Sequence, residues 1–366
     1  MRAPKYGSMA PRSTDCATTD PFASAHRIPD REASTGPTEN RATPLATRPL
    51  GLAVTLSVSF VLAVFALGLL CGSSGWGVPD HDILWKIRVP RVLAAFGTGA
   101  ALALAGAIIQ LVTRNPLGDP HLLGVTGGAS VGAVLSILLV PTGSPWTLEI
   151  GAMLGALFSM LLVFTLAWRH LGRGLPLGVQ SGTAIVLLVG VMIGTASGAV
   201  VSFILALASD VQLRPIVFWL LGDLNGATQW LPTWAAMAAA LLLVWPTARD
   251  LDWLARGDAW AWTLGVPVAR RRRLAILAAC LATGAAVATA GSIGFVGLVA
   301  PHAVRLMGLR SARRVLPFSA LWGGGFLVLA DSVARTIIAP SQLPVGVVSA
   351  AVGVPFFLFL MLRRRA

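Results

Sequence analysis

Residues 88–132 read R-V-P-R-V-L-A-A-F-G-T-G-A-A-L-A-L-A-G-A-I-I-Q-L-V-T-R-N-P-L-G-D-P-H-L-L-G-V-T-G-G-A-S-V-G. Two arginines flank Val89 and Pro90, a run of small and apolar residues follows, and the polar hairpin Arg114-Asn115-Pro116-Leu117-Gly118-Asp119-Pro120 interrupts it before apolar sequence resumes. About 20 apolar residues at ~1.5 Å rise cover the ~30 Å of a bilayer's hydrocarbon. The stretch therefore predicts a membrane-crossing helix with a charged lip at one end and a tight turn at the other, Asn-Pro and Asp-Pro both being turn starters.

The rest of the chain has the same character. Of 366 residues 55% are apolar and 12% charged, and the mean hydropathy is +0.77, values that belong to a polytopic membrane protein rather than a water-soluble domain. Apolar runs lie near 50–70, 92–111, 122–140, 147–168, 183–208, 230–246, 274–291, 315–338 and 344–362. The shorter run 293–307, I-G-F-V-G-L-V-A-P-H-A-V-R-L-M, carries a proline and reads as a tenth span or a half-helix.

Charge decides between nine spans and ten. With the N-terminus inside, ten spans place on one side the seven basic residues before residue 50, Arg114, Arg169 and Arg173, the six from Arg249 to Arg273, the four from Arg305 to Arg314 and the three at the end. That is 23 of 28 Lys and Arg, leaving Lys86, Arg88, Arg91, Arg214 and Arg335 outside. Nine spans would strand the last cluster on the wrong face. The expectation is an all-α, ten-span protein of the cytoplasmic membrane with both termini cytoplasmic. Residues 1–49, rich in Pro, Ser, Thr, Ala and Arg without periodicity, read as a disordered cytoplasmic tail, and residues 50–366 as the membrane domain.

The net charge of +13 sits in short clusters between apolar runs without aromatic interleaving, which speaks for topology signals and against a nucleic-acid partner. Cys16, Cys71 and Cys280 lack metal-ligand or disulfide spacing, and His121 and His302 have no ligand at metal spacing. Gly97, Gly99, Gly106, Gly151, Gly155, Gly190, Gly194 and Gly198 suit close helix packing, or the lining of a lumen. The segments Ala105–Ile108 and Ala290–Ile293, each with a Pro ten residues after its Gly, form a faint echo of the kind inverted repeats leave.

Four ordered blocks carry a resemblance: R-V-P-R with the hairpin R-N-P-L-G-D-P, then F-W-L-L-G-D-L-N-G-A (218–227), G-S-I-G-F-V-G-L-V-A-P-H-A-V-R-L (291–306) and Q-L-P-V-G-V-V-S-A-A-V-G-V-P-F-F (342–357). Over residues 50–366 the chain resembles the FecCD-type permeases, membrane subunits of binding-protein-dependent ABC importers for ferric siderophores, haem and cobalamin. The resemblance implies a ten-span subunit paired with a second permease subunit (homodimer or heterodimer), two cytoplasmic ATPase subunits, and an extracytoplasmic binding protein, all set in membrane lipid. No G-x-x-x-x-G-K-[ST] loop occurs, so no cofactor is expected on this chain and ATP and Mg²⁺ belong to the partner ATPase. A ferric siderophore leads as cargo, with cobalamin or haem as the alternative. An ion-coupled secondary transporter is the rival class, resting on Asp331 alone.

By the same resemblance, 249–273 holds the segment that couples to the ATPase, centred on Gly257, Asp258, Ala259, Ala261, Leu264 and Gly265. Asp258 suits a helix N-terminus, Gly265 a helix end, and Ala259, Ala261 and Leu264 a small apolar face. A loop helix on the bilayer surface is the competing reading, since Trp260 and Trp262 also suit an interface. Arg88, Arg91 and Arg335 are expected to meet acidic groups of the binding protein. Asp331 and Arg335 are four residues apart, so an intramembrane ion pair competes with that docking role and with a proton relay. Asn115, Pro116, Ser181 and Thr183 are gate candidates. Gln342 stands where the family commonly has an acid, and His170–Gly182 is longer than usual.

Overall fold

The structure, a computed structural model, describes residues 50–72, 75–77, 80–140, 145–172 and 182–363. The expected tail 1–49, Ser181 and most of 170–182 lie outside the described residues. The helices are α1 (Leu50–Leu70), α2 (His81–Ile83), α3 (Val89–Thr113), α4 (Val125–Leu139), α5 (Pro145–Gly172), α6 (Gly182–Leu207), α7 (Asp210–Leu220), α8 (Leu231–Val244), α9 (Ala248–Arg256), α10 (Asp258–Thr263), α11 (Val268–Ala290), α12 (Val296–Leu306), α13 (Ala312–Thr336) and α14 (Val345–Arg363). A π-helical turn, Leu84–Arg88, runs α2 into α3 without a break, and a 3₁₀ turn, Trp245–Thr247, does the same for α8 and α9.

Among the described residues seven helical stretches are long and apolar enough to cross a membrane, and three shorter apolar helices, α4, α12 and most of α14, accompany them. Together they give the ten-helix polytopic architecture. The run 293–307 forms a short helix: α12 has 11 residues, about 16 Å of rise against ~30 Å of hydrocarbon, and the non-helical residues 291–295 precede it. Gly291 and Phe295 both take positive φ (69°) and unwind the backbone before it. Unwound backbone at membrane depth needs partners from the protein. His121 Nε2 lies 2.9 Å from the Ile293 carbonyl, and Ser349 Oγ donates to the Gly294 carbonyl at 3.2 Å.

The centre of the bundle is α3, whose most apolar window is 94% buried, against 17% for α1 and α6. It packs against α13, α11, α12 and α8, while α4, α5 and α6 form a second group. Small residues permit these approaches. A Cβ on Gly99 would collide with the Gly323 carbonyl oxygen, and one on Gly132 with that of Gly151. Gly106, Gly155 and Gly190 meet backbone in the same way, whereas Gly194 has only a Cα at 3.9 Å and Gly198 has open space. Of the residues in the echo between 105–108 and 290–293, Gly106 sits inside α3 and Gly291 caps the end of α11.

Candidate functional site

The chemistry gathers at opposite ends of α13. At its C-terminal end Asp331 is fully buried. Its carboxylate accepts from Arg91 Nη2 at 2.9 Å and Nε at 3.1 Å, and pairs with Arg335 Nε at 3.0 Å. The i,i+4 spacing puts Asp331 and Arg335 on one helix face, and the helix contact of α3 with α13 brings Arg91 in from 240 residues away. Arg91 Nη1 also donates to Gln342 Oε1 at 2.7 Å, and Arg335 Nη2 to the Gly68 carbonyl at 3.2 Å. Arg88 Nη1 donates to the carbonyls of Leu69 and Leu70 at 2.7 and 3.0 Å, filling acceptors that the last turn of α1 leaves open.

All three arginines expected at an exposed lip are therefore buried, 3–6% exposed, and bonded within the chain. In this conformation none is presented to a partner. The physical reason is that a guanidinium beside apolar helices is stable only when a carboxylate or carbonyls receive its protons, and Asp331, Gln342 and the α1 terminus supply them.

At the other end of α13 lies the 249–273 region. Gly257, with φ 138°, breaks α9 from α10, and Gly265, with φ 76°, ends α10. Val266 N–H donates to the Ala261 carbonyl at 3.0 Å and Gly265 N–H to that of Trp262 at 2.9 Å, the paired bonds of a Schellman cap that glycine makes without strain. Asp258 opens the helix but points back into the protein, where Arg272 Nη2 donates to its Oδ2 at 2.7 Å. The single apolar face expected from Ala259, Ala261 and Leu264 divides: Ala261 is fully buried, while Ala259 and Leu264 are exposed beside Trp260 and Trp262, which are 67% and 76% exposed. At ~100° per residue Ala259 and Ala261 point to nearly opposite sides of the helix, so with Ala261 inward Ala259 faces out.

In the hairpin, Arg114 takes the left-handed conformation (φ 56°), Asn115 Oδ1 accepts from Leu117 N–H at 2.9 Å, and Asp119 Oδ1 accepts from His121 N–H at 2.8 Å. Asn115 and Pro116 are exposed at its tip. Thr183 lies in the first turn of α6. Sequence reasoning missed Arg272, Asp250, Asp252, His121 and Gln110. Each works through a partner distant in sequence, Gln110 for example donating to the Gly297 carbonyl at 3.0 Å.

A cavity of about 510 Å³ opens at the Asp331 end among α4, α5, α7 and α11, with Glu149, Gln212, Phe218, Trp219, Asp223 and Thr289 in its wall. Asp223 lies in the α7–α8 loop, outside the membrane-spanning segments. Burial pushes its carboxyl above the ordinary value, against the pull of the Asn225 N–H and the Arg91 charge.

Residues 50–363 match the FecCD transport family. The chain belongs to that family. It is a permease of the ABC-importer class, and relatives agree along nearly the whole membrane domain. The vitamin B12 import system permease BtuC of Salmonella typhi is 38% identical over 318 residues, 84% of this chain and 94% of the relative. The BtuC of Escherichia coli O9:H4 (strain HS) is 37% identical over 320 residues, 86% and 95% of the two chains. Among solved structures, a transporter described as of the metal-chelate ABC type, in an inward-facing conformation, superposes with TM-score 0.75 at 26% identity, covering 86% of this chain and all of that one. PsaBC of Streptococcus pneumoniae, at 18% identity and TM-score 0.53 over 81% and 94% of the two chains, shares the fold alone. The FecCD permease thus presents a buried charge cluster at one end of its bundle and a tethered, tryptophan-bearing helix at the other.

Proposed function

We propose that this FecCD permease pairs with a second permease subunit and, driven by two cytoplasmic ATPase subunits, imports a preassembled metal chelate delivered by an extracytoplasmic binding protein. The observation that carries the reading is the 37–38% identity to vitamin B12 permeases over 94–95% of their length. By that measure cobalamin is the leading cargo, and a ferric siderophore, which the motif resemblance places first, is the alternative. The positive-inside distribution of Lys and Arg supports cytoplasmic termini and a cytoplasmic α10.

The ATPase would seat on α10. Exposed Trp260, Trp262 and Leu264 offer an apolar contact at a helix end, of the kind that marks an interaction site. Asp258 stays behind that surface as part of its support. In alternating access, closure of the ATPase subunits pushes on α10, and the pathway between permease subunits changes the side to which it opens.

Uptake of radiolabelled cobalamin, ferric siderophore and haem in cells with and without the gene tests the cargo. Loss of cobalamin uptake alone supports the leading reading, loss of a ferric siderophore alone transfers the cargo to the alternative, and unchanged uptake of all three removes the substrate class. Trp260→Asp with Trp262→Asp tests the docking surface: co-purification of the ATPase should be lost while the permease keeps its membrane level.

A further inference from the structure

We propose that Arg272 is the positioning residue of the coupling helix: its buried guanidinium ties Asp258 to the head of α11, so that α10 moves with that span. The proposal deepens the coupling reading and rests on it for its functional half. A six-residue helix has no stability of its own. Glycines with positive φ stand just before and after α10, at 257 and 265, so the helix continues the axis of neither neighbour and is not held as an extension of one. What fixes the helix is therefore a side-chain matter. Ala261 is buried beneath it, and Asp258 Oδ2 accepts from Arg272 Nη2 at 2.7 Å, with the two side chains 15% and 5% exposed. Nε of Arg272 has no hydrogen-bond partner among the described residues, which leaves Asp258 as the group that stabilises this buried charge.

The arginine before it extends the grip. Arg271 Nε donates to Asp250 Oδ2 at 2.6 Å, so neighbouring residues of one helix hold α9 and α10 together. Both side chains of that pair are about a quarter exposed, so solvent weakens it relative to the Arg272 pair. On the same α9, Asp252 accepts from the backbone N–H of Ala312 at 2.7 Å and from Ser311 Oγ at 3.2 Å, where the N-terminus of α13 favours a carboxylate. Displacement of α10 is thus handed to α11 directly and to α13 through α9. A lysine at 272 would keep the charge but lose the planar fork that aims it.

Hydrogen exchange across residues 257–266 of the full-length permease, purified with its ATPase, is the first measurement. Arg272→Ala should speed exchange there by about tenfold or more, the loss of one charge-assisted hydrogen bond. Asp258→Arg combined with Arg272→Asp should restore protection, and Arg272→Lys should fall between. In cells, uptake of radiolabelled cobalamin and ferric siderophore should drop with Arg272→Ala and recover in the exchanged pair. Unchanged exchange in Arg272→Ala, or no recovery in the exchanged pair, overturns the positioning role. If exchange responds as expected but the Trp260/Trp262 variant still binds ATPase, the coupling reading fails while the strut stands.

Discussion

Asp331 is where the largest free energy rests on one side chain. Two guanidinium groups depend on a carboxylate that is fully buried, so Asp331→Asn should cost about 3–5 kcal/mol, seen as loss of folded protein in detergent thermal melts. The same cluster suggests the opposite experiment. Gln342 already accepts from Arg91, and a carboxylate there would balance two arginines now sharing one acid. Gln342→Glu should therefore stabilise by about 1 kcal/mol, raising the melting temperature by a few degrees. Nearby Asp223 supplies a pH signature. Its folded carboxyl holds a proton more tightly than the unfolded chain does, so its contribution is most favourable below the ordinary carboxylate value and is lost as pH rises to the raised one. Asp223→Asn should remove that decline, and melting curves of the two proteins across acid and neutral pH should diverge as pH rises.

At the scale of elements, the glycines make the sharpest contrast. An exposed helix interior gains up to ~1 kcal/mol from Gly→Ala, yet at Gly99 and Gly132 the new Cβ would strike a facing carbonyl, and at Gly198 it would meet nothing within 4 Å. Gly99→Ala and Gly132→Ala should lose folded protein in expression and thermal assays, whereas Gly198→Ala should match or exceed the parent. The long helices were legible in the sequence because 20-residue apolar runs have one explanation in a bilayer. The short helix α12 was legible only as an alternative, since Pro301 and the glycines before it signal a break without saying which partners satisfy it. The short α7 and α9 escaped because neither is apolar enough to stand out, α9 being charged on one face with Asp250, Asp252 and Arg256. The arginines read as an exposed lip for a related reason. Local sequence shows charge beside a span, but only the contact of α3 with α13 shows that Asp331 lies within reach of Arg91.

Burial is uneven among the described helices: α3, α11 and α13 are enclosed, and α1 and α6 leave most of their surface open. An open apolar helix faces either lipid or another subunit. Orientation is checked by cysteine reporters in a background lacking Cys16, Cys71 and Cys280: Leu264→Cys should react with impermeant thiol reagents only from the cytoplasmic side, and Asp80→Cys only from outside. The role of α6 turns on Gly194 and Gly198. Glycine in a lipid-facing helix surface has no packing to gain, and its helical cost is ~1 kcal/mol relative to Ala. A pathway wide enough for the proposed chelate cargo does gain from missing side chains. Gly198→Trp, at a position where an added Cβ has open space, should keep thermal stability within about 0.5 kcal/mol while blocking uptake of the cargo. Normal uptake with normal stability would turn this face of α6 toward lipid and move the pathway to the exposed face of α14, where Val347, Val352 and Val354 provide the next surface to probe.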